Sequence, residues 1–277
     1  MKIEEIDPII ELALREDMPR GDITSESVIT PESFAMAVIL AKEKGILAGI
    51  DVACRVFKKI DLSVDFKKLF KDGQVIEKDD ELAKLGGNSI SILKGERTAL
   101  NFLQRMSGIA TTTNKFVQVL KGSQTKVLDT RKTTPGLRSL EKYAVRMGGG
   151  ENHRLNLSDM VLIKDNHIKL VGSISEAVKR AKNRVKSAVR IEVETTNMQD
   201  VKEALKSGVD MIMLDNMSIE EMKEVVDWVK GSVPLEVSGN VDLERAKDIA
   251  SIGVNFISVG SLTHSYNSLD ISMEFLG

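Results

Sequence analysis

Residues 189–216, VRIEVETTNMQDVKEALKSGVDMIMLDN, decide the fold. An apolar run from Val189 to Val193 ends in Glu194-Thr195. A helical segment follows and closes at Gly208 after Lys206, and a second apolar run, Met211 to Leu214, ends in Asp215-Asn216. Two extended runs joined by a helix predict neighbouring parallel strands. The unit recurs at Lys126–Leu128, Met160–Ile163, Leu235–Val237 and Phe256–Val259. Those runs end in Asp129-Thr130-Arg131-Lys132, Lys164-Asp165, Ser238-Gly239-Asn240 and Gly260-Ser261. Ser218 and Glu221 form a capping box at the start of one intervening helix. Strands alternating with helices imply a parallel sheet, and polar groups gathered at strand carboxyl ends imply an α/β barrel with its site on that face. Six such strands can be read, so either the barrel is smaller than the (β/α)8 type or strands hide in the Gly-rich loop before Met160.

The pleat of VRIEVET sends Arg190, Glu192 and Glu194 to one face, into the barrel, and Ile191, Val193 and Thr195 to the other. Carboxylates there are costly unless cations or a metal neutralise them. Lys132, Arg154 and Lys164 are the available cations. Glu192 suits a structural ion network as well as a site; Glu194, at the strand end, suits a site better.

Upstream the texture changes near residue 105. A short helix (Ile6 to Arg15), an alternating strand (Phe34 to Lys42), an apolar helix (Ile50 to Ile60) and strand-like runs around Val75, Leu82 and Ile90 read as a small α/β domain. Gly95 precedes a long helix, Glu96 to Leu120, with Gly122 as a stop. The expected division is residues 1–104 and 105–265, with 266–277 a candidate to pack back onto the first domain.

Charge is concentrated where the site is expected. Between Arg131 and Lys169 there are eight Lys and Arg against four acids, a local balance of +4 in a chain of net charge −2, which predicts a focused anion site. A pI near 6.1 argues against bulk binding to nucleic acid or to a membrane surface. No apolar run is long enough for a membrane span, and MKIEEIDPII is too acidic for a signal peptide, so the expected location is cytoplasmic. Cys54 is alone, on an apolar helix, and reads as core. No triad-like arrangement of Ser, His or Cys is evident.

Taken together, the strings DTRKTTPGLRSLEKYAVRMGGGENHR and LSDMVLIKDNH, preceded by LREDMPRGDIT and GERTALNFLQRMSGIAT and followed by IEVET, MLDN, EVSGN and ISVGSLTHS, resemble the quinolinate phosphoribosyltransferase family. The resemblance runs from near Leu14 almost to the C-terminus. It implies an N-terminal α/β sandwich joined to an incomplete, seven-stranded α/β barrel. It also implies an enzyme, a pentosyltransferase of NAD biosynthesis, that converts quinolinate and phosphoribosyl pyrophosphate to nicotinate mononucleotide, carbon dioxide and pyrophosphate with Mg2+.

Under that resemblance Arg131, Arg154 and Arg97 grip the two carboxylates of quinolinate, since guanidinium forks bind carboxylates bidentately; His153 and Lys164 line the same pocket. Arg97 is implied to reach a neighbouring subunit's site, which makes the protein a homodimer or a hexamer built as a trimer of dimers. The 5′-phosphate is expected on Ser238, Gly239 and Asn240 with Val259, Gly260 and Ser261. Glu194 and Asp215 face the ribose hydroxyls and Mg2+, held mainly through substrate, while Thr130, Lys132 and Lys164 receive the departing pyrophosphate. Lys132, Lys164, Glu194 and Asp215 are the expected catalytic set.

Three other readings stand beside this one: a nicotinate-type or molybdate-operon relative of the same superfamily, a lyase with Lys164 as a Schiff base, and a non-catalytic phosphosugar-binding module. His167 and His264 lack a metal-ligand context. Lys142 and Arg146 are expected on one helix face, solvated or beside substrate, and Glu151 in a solvated loop.

Overall fold

A computed structural model describes residues 6–276. The first five residues, part of the acidic N-terminus, and Gly277, the end of the tail, lie outside the described residues. The first elements are α1 (Asp7–Asp17), α2 (Ile23–Val28), β1 (Phe34–Ala41), β2 (Gly45–Ile46), α3 (Ile50–Ile60), β3 (Asp65–Lys68), β4 (Val75–Ile76), β5 (Glu81–Asn88) and α4 (Ser89–Val119). They are followed by β6 (Lys126–Leu128), α5 (Arg138–Met147), β7 (Val161–Ile163), α6 (Asp165–Val171), α7 (Ile174–Arg184), β8 (Ile191–Thr195) and α8 (Met198–Lys206). The chain closes with β9 (Met211–Asp215), α9 (Ile219–Val229), β10 (Leu235–Ser238), α10 (Leu243–Ser251), β11 (Phe256–Ser258), α11 (Ser261–His264) and β12 (Ile271–Leu276).

Two compact units emerge. One holds residues up to Asn114, Thr133–Gly149 and Leu262 onward; the other holds Lys115–Lys132 and Gly150–Ser261. In the first, an antiparallel sheet runs β12-β1-β5-β3, with the tail strand β12 registered on β1 from Met36↔Leu276 to Ala41↔Ile271. Helix α3 buries Val52, Ala53, Val56 and Phe57.

The long helix differs from expectation at its start. It begins at Ser89, so Ile90 is helical rather than extended and Gly95 lies inside the helix. Asn88 sets the boundary: its Oδ1 accepts from the backbone N–H of Ile90 (3.0 Å) and of Ser91 (3.1 Å). Gly95 is there for packing, because a Cβ at that position would sit 2.6 Å from the Phe57 ring. Gly108 serves the same end against the Asn267 carbonyl oxygen, 2.0 Å from its would-be Cβ.

In the second unit the six runs read from sequence form one parallel sheet, in order β6-β11-β10-β9-β8-β7. Its strands are buried on both faces, as a parallel sheet covered by helices requires. The seventh strand implied by the resemblance is reduced to one parallel bridge, Leu128↔Glu151. There the Glu151 N–H donates to Val127 O (2.8 Å) and Glu151 O accepts from the Asp129 N–H (3.2 Å). The glycines at 148–150 precede this bridge and offer no side chains to extend it into a strand.

Candidate active site

The strand ends supply the site. In β8, Glu192 is fully buried and Glu194 lies at the carboxyl end, so the pleat reading holds for both. Arg190 departs from it: β8 begins only at Ile191, and the Arg190 side chain is exposed, since the foot of the strand opens to solvent. Lys164, at the end of β7, donates from Nζ to Glu194 Oε2 at 2.6 Å. Sequence expectation thus finds one neutralising partner where it was needed. His167, for which the sequence suggested no role, fixes the lysine's backbone, its Nδ1 accepting from the Lys164 N–H at 2.9 Å.

Asp215 ends β9 and stands in register with Ser238 at the end of β10. The two loops that follow are shaped together. Asn216, Gly239 and Asn240 all take left-handed backbone, with φ of 54°, 98° and 48°. A Cβ on Gly239 would fall 2.2 Å from Asn216 Oδ1, so only glycine fits between these loops. Asn216 in turn donates from Nδ2 to Asp215 Oδ2 (2.9 Å). Val259 is buried and its N–H is committed to Leu128 O (2.9 Å), whereas Gly260 and Ser261 are partly open at the end of β11.

After β6 the chain turns through Thr130, whose Oγ1 accepts from the Lys132 N–H (3.0 Å), leaving the Lys132 side chain exposed. Burial, and then the charge of Arg131, push the Arg154 guanidinium below its ordinary value, while the charges of Glu192 and Asp159 offset part of that. A cation whose charge is disfavoured by burial and by a like charge nearby is stabilised by an anion, which makes this a candidate anion site.

Glu192 is not neutralised by Lys132, Arg154 or Lys164 at hydrogen-bond distance. Its Oε2 lies 2.9 Å from His153 Nε2. The same nitrogen is 3.5 Å from Oε2 of Glu236, a buried carboxyl on β10 that sequence reading passed over. Burial, chiefly, raises Glu192 to about 7, and burial with the neighbouring Glu192 charge raises Glu236 to about 8. The period-2 pleat could have revealed Glu236, because Ser238 two residues on was already assigned to the site. Asp129, also fully buried, anchors the opposite side by accepting from the His153 N–H (2.9 Å) and Asn152 Nδ2 (2.5 Å).

The remaining assignments divide. Arg97 sits exposed on α4, in the first unit. Lys142 is buried and Arg146 is exposed, so of the two readings for that face of α5, solvated or beside substrate, the solvated one does not hold for Lys142, which is buried along with Leu140 and Val145. Glu151 is exposed and ion-paired to Lys126 at 2.7 Å. The His264 ring is exposed, with its Nδ1 2.7 Å from the hydroxyl of the adjacent Ser265. Cys54 is half-buried rather than fully in the core, and burial raises its thiol.

Known proteins bear on this arrangement directly. The model for the N-terminal domain of quinolinate phosphoribosyl transferase matches residues 22–107, and that for its C-terminal domain matches 109–274. A probable nicotinate-nucleotide pyrophosphorylase [carboxylating] from Bacillus subtilis is 45% identical over 259 residues, 94% of this chain and 89% of that protein. One of the same name from Synechocystis is 43% identical, covering 98% of this chain and 92% of its own. The crystal structure of NadC from Streptococcus pyogenes superposes with a TM-score of 0.96 at 42% identity, covering 100% of this chain and 99% of that one. With two domain models spanning most of its length and close full-length relatives, the chain belongs to the quinolinate phosphoribosyl transferase family.

Proposed function

We propose that this protein transfers phosphoribosyl from phosphoribosyl pyrophosphate to quinolinate with loss of carbon dioxide, giving nicotinate mononucleotide and pyrophosphate for NAD biosynthesis. The observation that carries the reading is a half-buried Arg154, whose charge burial and the nearby charge of Arg131 disfavour, in the same strand-end unit as the Lys164–Glu194 ion pair. A planar diacid answers the first feature, and a sugar bearing phosphates answers the second together with the left-handed loops at Asn216, Gly239 and Asn240.

In this reading Arg131 and Arg154 hold the ring carboxylates, joined by Arg97 from a second subunit of a homodimer or hexamer. His153 lines the same pocket. The 5′-phosphate rests on Ser238, Gly239 and Asn240 with Val259, Gly260 and Ser261. Glu194 and Asp215 face the ribose, and Thr130, Lys132 and Lys164 face the pyrophosphate.

As the bond from C1 of ribose to pyrophosphate breaks, positive charge grows on the ribose beside Glu194 and Asp215, and negative charge grows beside Lys132 and Lys164. The pyridine nitrogen attacks C1 from the opposite face. Its quaternised ring then accepts the electron pair released when the adjacent carboxylate leaves as carbon dioxide, and a proton fills the vacated carbon. No side-chain nucleophile takes part.

Magnesium fits this donor set as a substrate-borne ion. Glu194 and Asp215 each engage one oxygen, with Lys164 and Asn216 respectively, and each keeps its second. Two carboxylate oxygens suit an ion that retains water and substrate oxygens as its other ligands. Bound there, it would neutralise charge on the pyrophosphate. A cytoplasmic location belongs to the same proposal; among the described residues no helix is long and apolar enough to cross a membrane.

The test is release of carbon dioxide from carboxyl-labelled quinolinate, which must require both quinolinate and phosphoribosyl pyrophosphate. Nucleotide formation from nicotinate with no release from quinolinate would assign the chain to the nicotinate-type alternative.

A further inference from the structure

Inside the same unit the ring of His153, which lines the carboxylate pocket, meets Glu192 and Glu236, two side chains to which the transfer reaction as described gives no part. Their ligating atoms all fall within 4.8 Å of one another. Such a set invites a metal ion, but the hydrogen bonds of His153 argue otherwise. The backbone N–H of Arg154 donates to His153 Nδ1 at 2.8 Å. A backbone N–H can only donate, so Nδ1 carries a lone pair and the ring proton is on Nε2. That proton points at Glu192 Oε2 (2.9 Å), with Glu236 Oε2 at 3.5 Å. A metal on Nε2 would have to displace it, leaving an imidazolate whose Nδ1 is already committed. The set is built around a proton.

The second observation is what the cluster holds. Arg154, next in the chain, donates from Nη1 to Met160 O (3.1 Å), and its guanidinium is the one whose charge burial and Arg131 disfavour. On its other side the 152–154 turn hangs on Asp129 by two hydrogen bonds. The imidazole is therefore a strut. Its outer nitrogen holds the Arg154 backbone, and its inner nitrogen is held by Glu192.

Glu192 Oε1 and both oxygens of Glu236 have no hydrogen-bond partner of good geometry among the described residues. The Ser258 hydroxyl, also in reach of Glu236, is turned to Val237 O at 3.4 Å. Two carboxyls facing one N–H in a dry interior are stable only if a proton lies between them.

We propose that Glu192, paired with Glu236, is a positioning residue: acting through the Nε2–H of His153 it locks one ring tautomer, fixes the 152–154 turn from within the barrel, and so aims Arg154 at the pyridine dicarboxylate. The proposal rests on the functional reading above for the identity of that ligand, but not for the tautomer. A pair kept only for stability would behave differently, because replacing buried ionisable pairs by apolar residues of similar volume is often neutral or stabilising.

The experiment uses the full-length protein and two variants. In the double variant Glu192→Leu/Glu236→Leu no buried charge is orphaned. It is expected to melt at or above the unaltered protein's temperature, while KM for quinolinate rises on the order of tenfold and KM for phosphoribosyl pyrophosphate stays within about twofold. Glu192→Gln keeps an oxygen for His153 and offers Glu236 a donor, and should recover most of the loss.

Nitrogen-15 spectra of the three histidine rings, assigned with His167→Gln and His264→Gln, should show His153 bare at Nδ1 and protonated at Nε2. An Nδ1–H or doubly protonated ring, an unchanged quinolinate KM in the double variant, or a collapse of its melting temperature would each overturn the proposal. So would a tightly held metal ion that the double variant no longer retains. Absence of quinolinate turnover by the unaltered protein would instead remove the functional reading, leaving the ring-nitrogen result to stand by itself.

Discussion

Arg131 and Arg154 show how a single pair of side chains can define a ligand. Their mutual repulsion is a standing cost that a dianion relieves. Arg131→Ala is therefore expected to lower kcat/KM for quinolinate by about 2–4 kcal/mol of transition-state stabilisation, as for removal of one member of a desolvated charge pair. Steady-state kinetics checks this, and near-normal turnover would remove Arg131 from the site. At the same scale, Glu192 and Glu236 are raised to about 7 and about 8, above the ordinary carboxyl value of 4.5. Across that window the folded state binds more protons than the unfolded chain, so stability must fall as pH rises. Their contribution is fully present below the ordinary carboxyl range and lost by about pH 8. Melting temperatures taken between about pH 5 and pH 9 should decline in the unaltered protein more steeply than in Glu192→Leu/Glu236→Leu. Glu194 was legible because a charged residue ends an apolar run. Glu236 was not, because it lies inside an apolar run rather than at its end, and only the strand's parity puts residue 236 on the same face as residue 238.

Elements were legible where one periodicity ruled. The apolar helix at Ile50–Ile60 and the run at Lys126–Leu128 match their sequence readings to the residue. The long helix α4 did not, since a glycine inside a helix and a glycine before one look alike in sequence. What separates them is the neighbour: Phe57 against Gly95 and Asn267 against Gly108, contacts between residues far apart along the chain. Asn88 carried a readable signal as an N-cap that strand expectation at Ile90 concealed. Replacing it with Ala should cost about 1 kcal/mol by chemical denaturation, the usual scale for a lost cap. Gly108→Ala is expected to cost more, about 1–3 kcal/mol, because its methyl group meets backbone rather than a side chain that can swing away. Equal stability in the Gly108 variant would mean that the Asn267 segment yields freely.

For the molecule as a whole, the sequence carried the repeat of strand and helix and the polar strand ends, and so the parallel architecture. It could not carry the partition of the chain, because residues 133–149 lie between β6 and β7 in sequence yet pack within the first unit. Assembly is tested at this scale. If Arg97 serves a second subunit, mixing inactive Arg97→Ala with inactive Lys132→Ala protein should restore partial activity in hybrid oligomers. Recovery in a carbon dioxide release assay, after subunit exchange has been demonstrated, is the expected result; none would confine Arg97 to its own chain.

The Leu128↔Glu151 bridge joins β6 to the segment that precedes β7, and among the described residues no ladder joins β6 to β7 itself. A parallel sheet whose two outer strands share no ladder can open there while every other ladder stays intact, so amide exchange should be fastest along 149–152 and slow with substrates bound. The gap that shortens the strand count thus gives the wall a place to breathe, next to the turn that carries Arg154.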